Sequence, residues 1–215
     1  MSLKLKALGL GILATLAMSA VAVMNASAES TGHFTSDVTS TTILGTEVLG
    51  TEHRTELTAH GLEGGVVCDE VSYHGHVAGT TTTDISIFPT YKKCHTTPSA
   101  VDTTTVTMNE CYYTFTSGGT RTVHLKCPPN KAIEVHHPNC TITIPEQTVA
   151  GVIYDVIVEN GKHIITLTAN TVQFTTEYHG GICIFTGTHH TGTLHGSATV
   201  RGFDTLGKQV NITAT

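Results

Sequence analysis

Six cysteines constrain this chain more than any other feature of its sequence, because disulfides would fix which segments lie side by side. They are Cys68, Cys94, Cys111, Cys127, Cys140 and Cys183. No two of them form a C-x-x-C pair, which argues against a zinc finger and against a dithiol redox motif. For a chain that meets an oxidising compartment, the expected arrangement is therefore three disulfides.

The local sequence favours one cysteine pair. Residues 111–116 and 122–127 alternate as two strands, with a Ser-Gly-Gly turn between them. Folding that hairpin brings Cys111 opposite Lys126 or, with one bulged residue, opposite Cys127. We therefore predict a Cys111–Cys127 disulfide. Sequential pairing then suggests Cys68–Cys94 and Cys140–Cys183.

The first 28 residues have the three parts of a secretory signal peptide. Lys4 and Lys6 precede an uncharged run over residues 7–24, and Ala26-Ser27-Ala28 is a small-residue cleavage site. An uncleaved anchor is the alternative, because an apolar run of about 18 residues is the shortest that could span a bilayer. The Ala and Gly content of the run favours cleavage after Ala28. We predict a secreted or otherwise extracytoplasmic protein with no stable membrane insertion after cleavage.

The remaining residues, 29–215, have the pattern of an all-β domain. Thr, Val and Ile are abundant, and these β-branched residues suit a pleated surface. Segments that alternate with period two follow one another with turn signals between them, and they predict about twelve strands in an antiparallel sandwich or an irregular barrel. We expect a single disulfide-bonded domain, with a possible subdivision near residue 145.

Several strand boundaries are predicted individually. Val66–Val77 alternates throughout, and Thr83–Phe88 is predicted to end at Pro89. Separate strands are also predicted over residues 163–168, 171–178 and 208–213. Asn160-Gly161 between two apolar runs is a strong hairpin signal, because both residues tolerate positive φ.

The charge of the chain argues against nucleic acid as a partner. Its formal net charge is −6 with histidine neutral, and loss of the two leader lysines would make it more acidic. Phosphate recognition needs clustered Lys and Arg, and no such cluster is present. A cell-wall polymer or a second copy of the chain is the partner class left open.

Three segments carry a resemblance. Cys111-Tyr-Tyr-Thr-Phe, Cys127-Pro-Pro-Asn-Lys-Ala-Ile and Cys140-Thr-Ile-Thr-Ile-Pro-Glu-Gln resemble segments of secreted six-cysteine β proteins predicted from actinobacterial genomes. The resemblance would cover most of residues 29–215. It implies export and a β fold, and it implies no activity.

Histidine is the compositional anomaly, with 14 residues. In His74-Gly75-His76, residues i and i+2 of a strand point to the same face, so both imidazoles could bind one Zn²⁺ or Cu²⁺ ion. The alternative is that these are ordinary surface histidines, because the sequence places no third ligand. No cofactor other than this metal ion is expected.

Signals for an enzyme are weak. There is no G-x-S-x-G motif, and His195-Gly196-Ser197 lacks the strand-turn-helix setting of a nucleophilic serine. A pair of carboxylates could meet across strands, as in glycosidases, but nothing selects two of the candidates. Those candidates are Glu134, Glu146, Asp155, Glu159 and Glu177.

Tyrosines are the other candidates for a binding face. Tyr91, Tyr112, Tyr113, Tyr154 and Tyr178 could line a site for a sugar or a peptide. The chain has no Trp, so the best stacking residue is missing, and packing in the core is the alternative role for most of these tyrosines.

The sequence thus favours a secreted or cell-wall-associated, non-catalytic β domain that acts as a binding or structural module. One alternative is an extracytoplasmic hydrolase or a His-dependent metal-binding protein. Another is a self-assembling surface protein, which uncovered strand edges would favour. An enzyme should have a concave pocket where His or acidic side chains converge, whereas a structural module should have them dispersed.

Overall fold

The computed structural model describes residues 32–47, 56–58, 65–96, 104–117, 122–137, 140–179 and 187–215. The predicted leader, the glycines of the predicted turn after Ser117, and Cys183 lie outside the described residues. Within these ranges the chain is all-β, as predicted, and contains no helix. Its strand pairs are all antiparallel.

The strands are numbered in chain order. The first six are β1 (Phe34–Ser36), β2 (Thr41–Glu47), β3 (Glu56–Thr58), β4 (Val66–Val77), β5 (Thr81–Thr82) and β6 (Asp84–Thr96). The next six are β7 (Thr105–Thr107), β8 (Tyr112–Thr116), β9 (Thr122–Lys126), β10 (Ile133–His137), β11 (Cys140–Ile144) and β12 (Gln147–Ala150). The last five are β13 (Val152–Glu159), β14 (Lys162–His179), β15 (Gly187–Phe203), β16 (Gln209–Val210) and β17 (Ile212–Ala214).

Most of these strands join one large sheet that curls into a nearly closed barrel. Its order is β12-β9-β8-β6-β4-β2-β15-β14-β11-β10-β7, and β3 pairs with both β4 and β15. At one end the chain beside β7 returns to β6 through a bridge between Thr104 and Cys94. Of the two predicted architectures, the structure therefore adopts the irregular barrel rather than the sandwich.

The other end of the sheet also turns back on itself. Gln147 of β12 donates a hydrogen bond from Nε2 to the carbonyl of Thr175 in β14 at 3.1 Å. The Thr175 N–H donates to Gln147 Oε1 at 2.7 Å. One side-chain amide thus replaces a pair of main-chain bonds, and β12 is held beside β14.

Two hydrophobic cores fill the curled sheet. The first contains Val77 and Ile87 together with residues of β13, β14 and the end of β15. The second contains Val71 and Cys94 together with the apolar residues of β10 and β11. Because β4 and β6 supply buried side chains to both cores, these two long strands connect them.

Disulfides reinforce the second core. Cys68 is bonded to Cys94 across β4 and β6, and Cys111 is bonded to Cys127 at the open end of the β8–β9 hairpin. These are the two nearest pairs that the sequence predicted. Cys140 is also disulfide-bonded, and its predicted partner, Cys183, lies outside the described residues.

The β8–β9 hairpin differs from its prediction in register. Tyr112 lies opposite Lys126, so the two cysteines that flank them face each other without a bulge. The Thr116 and Thr122 hydroxyls meet at 2.8 Å at the other end. The loop is therefore longer than a Ser-Gly-Gly turn, which shifts the pairing by one residue.

Three predicted boundaries are corrected. Pro89 does not end its strand, because β6 pairs with β8 only over Asp84–Ile87, and in the described residues no strand pairs with Pro89 on that side, where proline is tolerated. The two strands predicted over residues 163–178 form one long β14 that bends through bulges. The single strand predicted over Lys208–Thr213 is instead divided into β16 and β17.

Candidate functional site

A cavity of about 100 Å³ lies between the two cores. Tyr73, Tyr113, Val149 and Leu194 line it, and all four also pack against both cores. The cavity therefore marks the junction where the two cores would otherwise meet.

The cavity arises from the way in which β14 pairs with β15. Their register shifts between Ala169 and Val172, opposite Gly196 and Leu194. A shift of this kind bends a sheet and re-aims its side chains. The small residues Ala169, Gly196 and Ala198 line this wall, so the bent sheet leaves space that no side chain fills.

Two of the tyrosines that line the cavity are joined through their hydroxyl groups. Tyr91 Oη and Tyr113 Oη are 3.3 Å apart and share a hydrogen bond. Burial raises the pKa of the Tyr113 hydroxyl above its ordinary value of 10.0, so this phenol stays neutral at physiological pH. The pair can accept or donate one hydrogen bond to a group that enters the cavity.

His195 and Ser197 stand on the same wall, but they do not form a catalytic pair. Ser197 is buried, donates a hydrogen bond to the Leu167 carbonyl at 3.2 Å and lies 3.0 Å from the Thr168 hydroxyl. Its hydrogen-bonding capacity is thus directed to β14 and not to an imidazole. His195 is exposed, so the cavity reaches the surface beside this side chain.

The volume of the cavity limits what could occupy it. Sites for cofactors and drug-sized ligands measure roughly 300–1,000 Å³. An apolar cavity of roughly 150 Å³ accepts benzene. A space of about 100 Å³ is smaller than either, so it suits a ring smaller than benzene or a short alkyl group, with any remainder of the ligand outside.

The carboxylates proposed from the sequence do not converge on this cavity, whose lining contains no acidic residue in the described part of the chain. Glu134 lies 3.0 Å from His136 Nε2, and Glu146 accepts a hydrogen bond from the Cys127 N–H. Glu159 pairs with Arg201 through two hydrogen bonds of 2.6 and 2.7 Å. Asp155 and Glu177 lie on β13 and β14.

The two candidate metal ligands are placed on one face of β4, as their spacing indicated. His74 and His76 are both exposed, and the His74 ring stacks on Phe88 with their centroids 5.2 Å apart. Their cross-strand neighbours are Leu44, Phe88, Thr42 and Ser86, none of which is a usual metal ligand. Among the described residues no group of three His, Cys, Asp or Glu could hold a metal ion.

The predicted tyrosines that the structure describes lie in three different settings. Tyr91 and Tyr113 line the cavity, whereas Tyr154 packs in the first core against Phe34 and Phe115. Tyr112 makes a ring contact with Phe88 on the sheet surface. The side chain of Tyr178 lies outside the described part of the chain.

Sequence reasoning missed most of the cavity wall. Val149, Ala169 and Leu194 come from three strands and carry no chemical signal of their own. The one local sign was the small-residue run Gly196-Ser197-Ala198, which overlaps the His195-Gly196-Ser197 segment interpreted above only as a possible nucleophile motif.

No helix in the described residues is long and apolar enough to span a membrane. Comparison with protein-family models, curated proteins and solved structures finds no match.

Proposed function

We propose that this protein is an exported, non-catalytic binding module that holds one small apolar group in the cavity between its two cores. The observation that carries the proposal is the cavity itself, walled by aliphatic side chains and a pair of phenols. The occupant would be a ring or short alkyl group presented by a larger partner, with a cell-wall polymer as the partner class that the sequence leaves open.

Export is part of this proposal, and it is supported by two observations. The first 28 residues have the pattern of a cleavable signal peptide. The protein also contains the disulfides Cys68–Cys94 and Cys111–Cys127, and structural disulfides persist in oxidising compartments.

Binding is favoured over hydrolysis because the cavity lacks the groups that hydrolysis needs. A glycosidase needs two carboxylates on either side of the bond that it cleaves, and no described lining residue is acidic. A serine hydrolase needs a base within hydrogen-bond reach of its nucleophile, whereas the Ser197 hydroxyl is bonded to β14.

Indole is a suitable probe, because its five-membered ring is one small ring with an N–H that could donate to the phenol pair, while its fused second ring could remain outside the cavity. We expect indole to raise the thermal unfolding temperature of the oxidised protein, because a ligand that binds only the folded state stabilises it. We also expect saturation-transfer NMR to show contact between the indole ring and the protein.

Matched variants connect this binding to the cavity. Ala169→Leu adds three carbons to the wall and should abolish the indole effect. Ala150→Leu, at an exposed position on β12, adds the same atoms elsewhere and should leave the effect unchanged. If indole has no effect on the parent protein, or has the same effect on both variants, the proposal is wrong.

A further inference from the structure

Strand β13 lies at the edge of the large sheet. It pairs with β14 over its whole length, from Val152 opposite Ala169 to Glu159 opposite Lys162. In the described part of the chain no other strand pairs with it. Its second edge therefore presents main-chain groups to the surroundings.

The hairpin turn shows which main-chain groups these are. Asn160 and Gly161 have φ of 51° and 74°, as a two-residue type I′ turn requires. The residues that flank such a turn, Glu159 and Lys162, form a hydrogen-bonded pair, and the pairs alternate from there. Val156 and Val158 consequently direct their N–H and C=O groups away from β14.

The side chains along this edge are apolar and exposed. Ile153, Val156 and Ile157 are 42%, 40% and 45% exposed, and Val158 is 66% exposed. Exposed β-branched residues on an open edge make a template for another strand. Native sheets usually protect such an edge with charges or proline. β13 has two acidic residues, and one of them, Glu159, is bound by Arg201. Asp155 is therefore the only acidic residue of β13 without a cation bonded to it.

We infer that β13 pairs antiparallel with β13 of a second copy of this chain, around a twofold axis at Val156. The open edge has alternating main-chain donors and acceptors, and an identical strand can pair with them. The exposed valines and isoleucines would then be covered on both copies. The exposed residues of this interface do not line the proposed cavity, to which β13 contributes only the buried Val152 among the described residues.

Charge selects this register over its neighbours. In the register centred on Val156, Asp155 lies opposite Ile157, and Glu159 lies opposite Ile153. Centring the pair on Asp155 would place two aspartates opposite each other, and centring it on Ile157 would place Asp155 opposite Glu159. Like charges directly opposite are destabilising, so the register at Val156 is preferred.

Sedimentation equilibrium of the oxidised protein without its leader tests the association. We expect a monomer–dimer equilibrium for the parent protein. Val156→Lys would place two ammonium groups opposite each other at the axis and should give a monomer. Leu206→Lys removes a side chain that is 91% exposed but lies elsewhere, and it should leave the equilibrium unchanged.

A cysteine cross-link tests the register. Val156→Cys would lie opposite itself at roughly 5.5 Å between Cα atoms, which is within reach of a disulfide. Ile153→Cys would be far from its own copy. We expect a covalent dimer on non-reducing electrophoresis for the first variant only. A monomeric parent protein, or equal cross-linking of both variants, would overturn the inference.

Discussion

Gly202 lies where side chains from three other strands leave no room for a methyl group. A Cβ atom at this position would be 2.5 Å from Ile212 Cγ2, 2.9 Å from Thr41 Cγ2 and 3.2 Å from Val210 Cγ2. All three are branched side chains with little freedom at χ1. At the scale of single residues, the lack of a side chain at Gly202 lets β15 lie close to β2, β16 and β17.

We predict that Gly202→Ala lowers the free energy of unfolding by about 1–3 kcal/mol, as overpacking of a core does. Gly79→Ala is the matched control, because its Cβ would have only ordinary contacts with Thr81. Urea unfolding of both variants measures the difference. Equal stability of the two would show that the strands around Gly202 can move apart at little cost.

The cavity shows how far single residues could be predicted. The sequence named Tyr91 and Tyr113 as candidates for a binding face, because tyrosine combines an apolar ring with a polar tip. It gave no reason to choose them over Tyr154, which is buried against Phe34 and Phe115. Which tyrosine lines a cavity depends on the bend in β14 and β15 and not on the residue type.

Individual elements were predicted best where the signal is local. The ends of β4 agree with its alternating pattern, and the Asn160-Gly161 turn joins β13 to β14 as expected. The extent of β6 was wrong, because whether Pro89 is tolerated depends on where β8 stops pairing. That neighbour is more than twenty positions away in the chain.

The two described disulfides are local in the same sense, since each joins neighbouring strands of the sheet. Cys111 and Cys127 are separated by 16 residues, and Cys68 and Cys94 by 26. Each bond restricts a loop of the unfolded chain. Changing Cys111 and Cys127 together to Ala should therefore lower the free energy of unfolding by about 3 kcal/mol.

Urea unfolding of this double variant under oxidising conditions checks the value. Changing Cys68 and Cys94 together to Ala provides the comparison, and a similar cost is expected because loop length acts only logarithmically. If neither double variant changes the free energy of unfolding, the unfolded chain is as restricted without these disulfides as it is with them.

At the scale of the whole molecule, the described residues form two cores that continuous strands join. Ile165 belongs to the first core and Ile142 to the second, and both side chains are 1% exposed. β4 and β6 contribute side chains to both cores. If one core unfolded, these two strands would therefore be only partly covered by the packing of the other core. We expect the two cores to unfold together.

Ile165→Val and Ile142→Val test this expectation. Each should lower the free energy of unfolding by about 0.5–1.5 kcal/mol while unfolding remains a single transition in both circular dichroism and tyrosine fluorescence. The control is Leu206→Val, which also removes one methylene, at a position that is 91% exposed, and it should change little. Separate transitions for the two probes would show instead that the cores unfold independently.

The sequence by itself determined the β fold, the tight turn at Asn160-Gly161 and the nearest cysteine pairs, because all of these depend on alternation and spacing within short segments. Only the tertiary structure decided that the sheet curls into a barrel, that two cores form, and that a cavity with two phenols remains between them. The physical reason is that curvature arises from bulges and from pairings between distant strands, such as Gln147 with Thr175. A bulge in one strand also bends the strands that pack against it, so the curvature of the sheet cannot be predicted from any single segment of the sequence.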